Sequence, residues 1–132
     1  MAVTAQTITD VNHKTIVKYV CDGSANSAVS LLDVSGLVGH SAGSLVNISK
    51  IFWTTDGLAT GYEILWDASS NVQAIILHGS GTYGMTGGQP ALTNNAGGGI
   101  TGDVLITNAS GTGSFVIEYH KVQNAAATDW SG

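Results

Sequence analysis

Residues 39–43 read Gly-His-Ser-Ala-Gly and satisfy the G-x-S-x-G pattern, in which a strained turn between a strand and a helix exposes a nucleophilic serine. Ser41 would then attack an ester carbonyl. The segment that follows, Leu45 to Trp53, is a β-branched and aromatic run instead of a helix, so the support that activates such a serine is absent. A glycine-rich turn is the better reading. The two glutamates, Glu63 and Glu118, are the carboxylates from which a glycosidase pair could be drawn, yet each points away from the aromatics of its own strand. Solvation explains both.

The four histidines, His13, His40, His78 and His120, are too widely spaced to match any zinc pattern. Asp67, Asn71, Asp103 and Asn108 place oxygens near turns, as a calcium site does, but no D-x-D-x-D-G loop is present, and turn formation accounts for them. Gly97-Gly98-Gly99 precedes a strand, with no lysine at the Walker spacing, so it is not a phosphate cradle. No catalytic, metal-binding or cofactor-binding residues are assigned, and the chain is expected not to be an enzyme.

Charge narrows the partners. Lys14, Lys18, Lys50 and Lys121 are the only basic side chains, arginine is absent, and nine acids bring the net charge to -5. Nucleic-acid binding draws its affinity from lysine and arginine on phosphates, and anionic membranes need a polybasic segment, so neither is expected as a partner. A protein or a neutral glycan fits better. Cys21 stands alone, which excludes an intrachain disulfide and reads as a small buried hydrophobe. Neither a secretory signal nor an apolar run of transmembrane length is found, so synthesis in the cytoplasm is expected.

The elements that must position these residues are strands. Thr15 to Cys21 is β-branched and stops at Asp22-Gly23, a strong turn signal; Val29 to Val34 is a short apolar run; and Leu45 to Trp53 carries polar residues on both faces unless a bulge near Lys50 re-phases it. Tyr62 to Trp66 and Val72 to His78 read as a hairpin with Tyr62, Ile64 and Trp66 on one face. Residues 79–99 are crowded with glycine and read as one long loop, before strands at 102–108 and 114–122. In the last strand Phe115, Ile117 and Tyr119 face in. With 132 residues, the expectation is one all-β domain, an antiparallel β-sandwich or barrel with long Gly-rich loops, flanked by an N-terminal arm (about 1–12) and a C-terminal arm (about 123–132).

The aromatics carry the remaining signal. Trp53 and Trp66 are expected in the core or at its rim, whereas Trp130, in a tail of small residues, suits a neighbouring subunit. The alternative of a carbohydrate-binding module, for phage adhesion or lectin-like binding, would stack sugars on exposed Trp53, Trp66 or Tyr83. Trp130, Trp53 and Tyr83 are therefore the candidate partner-contact residues.

Residues 62–81, Y-E-I-L-W-D-A-S-S-N-V-Q-A-I-I-L-H-G-S-G, and 99–121, G-I-T-G-D-V-L-I-T-N-A-S-G-T-G-S-F-V-I-E-Y-H-K, resemble the head decoration or cement proteins of tailed marine and cyanobacterial phages. The second segment looks like the closing hairpin of such proteins. The resemblance implies a jelly-roll-like sandwich that sits on the capsid surface of the virion, contacts the major capsid protein, clamps neighbouring capsomers and self-associates as a homo-oligomer such as a trimer.

Overall fold

The computed structural model describes residues 3–11, 13–23, 25–37, 45–55, 61–84, 89–109 and 111–122. Ser41, Trp130 and the C-terminal arm lie outside the described residues. Among these residues there are nine strands: β1 (Val3–Asp10), β2 (Lys14–Asp22), β3 (Asn26–Leu32), β4 (Leu45–Thr55), β5 (Tyr62–Trp66), β6 (Val72–Leu77), β7 (Ser80–Tyr83), β8 (Val104–Asn108) and β9 (Thr112–Val122). They form a five-stranded sheet, β1-β2-β9-β4-β7, and a four-stranded sheet, β3-β8-β5-β6, both antiparallel. The chain is an all-β sandwich, as its composition and turn spacing predict.

Pairing is nested. β2 joins β9, β3 joins β8, β4 joins β7 and β5 joins β6, so eight strands form one ribbon doubled on itself. The pairings β4·β9 and β5·β8 then close the ribbon into two sheets.

Alternation fills the space between the sheets. Val17, Tyr19 and Cys21 of β2, Phe115, Ile117 and Tyr119 of β9, and Tyr62, Ile64 and Trp66 of β5 all point inward and are buried. Each large aliphatic or aromatic side chain buried here contributes about 1.5–3 kcal/mol. Tyr62 and Phe115 meet edge to face across the layers, with centroids 5.7 Å apart and planes at 69°, and the Tyr62 hydroxyl donates to Thr112 O at 2.9 Å.

Two bulges re-aim side chains. In β4, Ile48 opposes Tyr119 and Lys50 opposes Glu118, leaving Ser49 as the extra residue. Val46 and Ile48 face inward before it, and Ile51 and Trp53 after it. The re-phasing expected near Lys50 is thus present one residue earlier. In β1, Ile8 is the extra residue between Thr7 and Thr9, and the shift sets Asp10 opposite inward-facing Thr15.

Three expectations are corrected. The supposed N-terminal arm is a strand from Val3 to Asp10; as an edge strand held by backbone pairing with β2, it needs few apolar side chains, and only Val3 is fully buried. The supposed loop 79–99 contains β7, and Leu92 bridges Ile48 through backbone hydrogen bonds of 2.7 and 2.9 Å. Glycine is needed inside β7 because the indole of Trp53 lies over Gly81, where a Cβ would stand 2.7 Å from Trp53 Cζ2. Gly81→Val is expected to cost about 1–3 kcal/mol through displacement of that ring, read as a lowered urea midpoint; an unchanged midpoint would contradict the packing. Finally, the strands at 104–108 and 112–122 are not a hairpin: β8 belongs to one sheet and β9 to the other.

Candidate functional site

The residues that suggested chemistry are dispersed by the fold. Glu63 and Glu118 lie on the outward faces of opposite sheets, since their neighbours Tyr62, Ile64, Ile117 and Tyr119 point into the sandwich. That arrangement cannot form a carboxylate pair. His13, His78 and His120 are exposed on separate elements, His40 lies outside the described residues, and among the described residues no cluster of three metal-ligating side chains occurs. The segment after Ser41 is strand β4, which does not supply a helix N-terminus.

The turn oxygens hold turns. Asn71 Oδ1 accepts from Ala68 N at 3.1 Å, Asp67 Oδ2 from Thr101 Oγ1 at 2.7 Å, and Asp103 Oδ1 from Val34 N at 2.9 Å. Asn108 Oδ1 accepts from Asn26 Nδ2 at 2.6 Å inside the protein, where Asn26 Oδ1 is buried without a hydrogen-bond partner.

Trp53 and Tyr83 come together. Tyr83 opposes Ile51 across β4·β7, so both rings pack against the rim of the core. Their polar atoms are used internally: Trp53 Nε1 donates to His78 O at 3.2 Å and the Tyr83 hydroxyl to Pro90 O at 2.7 Å. Trp66 is fully buried.

The surface that sequence reasoning missed is the outer face of the five-stranded sheet. The register places Lys18, Val116, Phe52 and Thr82 side by side in one row across four strands. The adjacent rows hold Ile16, Glu118 and Lys50, and Val20, Ser114, Thr54 and Ser80. Phe52 is 51% exposed and Val20 41%. A shallow recess lined by Lys18, Phe52, Thr54, Ser114 and Val116 opens there. Glu118 on this face accepts from Ser49 Oγ at 2.9 Å.

Lysine placement makes the face distinctive. Lys14, Lys18 and Lys50 all lie on it, whereas Lys121 is buried inside, paired with Asp10 at 2.6 Å. A chain of net charge -5 therefore gathers its exposed positive charge around an apolar centre. In the sequence, the runs T-I-V-K-Y-V-C and K-I-F-W are apolar at both parities, so period 2 alone does not reveal that Phe52 faces out.

Compared with protein-family models, curated proteins and solved structures, the chain shows no significant match to any of them. Among the described residues no helix is long and apolar enough to cross a membrane.

Proposed function

We propose that the chain is a non-enzymatic virion structural protein, a decoration or cement protein that binds the outer surface of a phage capsid and stabilises neighbouring capsomers. The observation that carries this reading is the nested pairing 2·9, 3·8, 4·7, 5·6, which is the wiring a jelly roll requires. The exposed Phe52 and Val20 among lysines support it as well, because a rigid sheet face with an apolar centre suits contact with protein. Its partners in this reading are the major capsid protein and further copies of itself, and its place is the capsid surface. Avidity across copies would compensate weak single contacts. The glycan-binding alternative finds less support, since Trp66 is buried and the polar atoms of Trp53 and Tyr83 are engaged within the fold.

The test is twofold. Light scattering coupled to gel filtration is expected to give a defined oligomer for the full chain and a smaller species for a chain truncated before Ala125. Heads of the source phage prepared without the protein are expected to bind it to saturation and retain it through sedimentation; a chain left in the supernatant overturns the capsid role.

A further inference from the structure

We propose that the outer face of the five-stranded sheet receives residues 123–132 of a second copy, with Trp130 seated between Phe52 and Val116 and Asp129 paired with Lys18. This rests on the self-association in the reading above and adds where the copies touch.

The receiving site is laid out by the register. Lys18, Val116 and Phe52 are lateral neighbours on β2, β9 and β4, and the recess among them has apolar walls, small hydroxyls at Thr54 and Ser114, and a single ammonium at its edge. That chemistry asks for a flat apolar group with a carboxylate beside it. Of the segments outside the described residues, 123–132 is the only one that sets an acid next to an aromatic ring, at Asp129-Trp130. Indole burial supplies the contact area and the Lys18–Asp129 pair fixes its orientation.

Reach weighs toward a second copy. From Val122 to the row containing Val116 is six residues of strand, about 20 Å, and the eight residues from 123 to 130 span at most about 27–29 Å when extended. Docking on its own sheet would leave only about 7–9 Å of that span for reversing the chain after Val122. A second copy imposes no such constraint. The contact joins two different surfaces, so it propagates until rotation closes a ring, and each copy both gives a tail and receives one.

The test uses the full-length chain in sedimentation equilibrium. Trp130→Ala is expected to weaken self-association by on the order of a hundredfold, and Lys18→Glu and Asp129→Lys by on the order of tenfold each. The double variant Lys18→Glu/Asp129→Lys is expected to recover most of the loss. Mixing is the sharper experiment: Trp130→Ala keeps the receiving face and Lys18→Glu keeps the tail, so together they should pair one to one more tightly than either associates with itself. Lys18 is exposed, and Lys18→Gln serves as the milder variant if the reversal disturbs folding. Should the assembly of the full chain survive all three single substitutions, self-association stands and this docking site is wrong. A monomeric full chain overturns both.

Discussion

Asp10→Ala is expected to lower the free energy of unfolding by about 3–5 kcal/mol, more than any single aliphatic truncation at the sheet edges, because it removes a carboxylate that is ion-paired with the buried Lys121 ammonium. Lys121 Nζ lies 2.6 Å from Asp10 Oδ1, and its side chain is wholly inaccessible. The pair spans three strands, since β2 lies between β1 and β9, and the bulge at Ile8 is what sets Asp10 opposite inward-facing Thr15. The expected recovery is as informative as the loss. Adding Lys121→Met to Asp10→Ala removes the buried charge and fills its stem volume, so most of the stability should return. Urea titrations of the two variants decide: equal losses in both would mean that Asp10 acts through β1 pairing and not through the charge.

Raising the pH through about 10 is expected to destabilise the protein steeply. Tyr19 and Tyr119 share a hydrogen bond of 2.8 Å between their hydroxyls in the core, and burial pushes both well above the ordinary tyrosine range, although their mutual bond partly opposes this for Tyr19. The sign follows from the protons held. Above about pH 10 an unfolded tyrosine has released its proton while the buried pair keeps both, so the unfolded state binds fewer protons and stability falls as pH rises. The slope is about 1.4 kcal/mol per pH unit for each group, or about 2.7 for the two. Below pH 10 the pair adds no pH dependence. Denaturation at pH 9, 10, 11 and 12 should show stability nearly level to about pH 10 and falling toward this slope above it, and Tyr19→Phe/Tyr119→Phe should remove the fall; an equal fall in the double phenylalanine variant would falsify the assignment.

Legibility in the sequence followed the physics of each element. The hairpin β5·β6 was readable because Tyr62, Ile64 and Trp66 alternate strictly and the turn is polar, and β9 for the same reason at Phe115, Ile117 and Tyr119. The bulge in β4 was readable because Asn47 and Lys50 break parity. β1 and β7 were not, since edge strands are held by backbone hydrogen bonds that leave no mark on side-chain pattern: β1 is Thr-rich and almost fully exposed, and β7 is four residues with a glycine inside. The candidate site was partly legible. Trp53 and Tyr83 were named as contacts and pack on the core rim, Trp130 lies outside the described residues, and Phe52 was hidden between two inward-facing neighbours, Ile51 and Trp53. The burial of Lys121 was not legible, because nothing local marks a lysine as buried; its partner is 111 residues away.

The nested pairing also sets a timetable for the chain as it is made. Among the nested pairs only the innermost, β5·β6, is local, with Trp66 opposite Val72, whereas β2 meets β9 with Tyr19 opposite Phe115. Such long-range contacts close slowly, since the entropy of a large loop is lost before any contact compensates it. During synthesis, β2 and β4 must wait for β9, which lies between them in the finished sheet, so the five-stranded layer is completed only when nearly all described strands have left the ribosome. Until then those strands have open edges. The edges of β2 and β4 that β9 will cover make this nascent interval the one in which wrong pairing between chains is easiest.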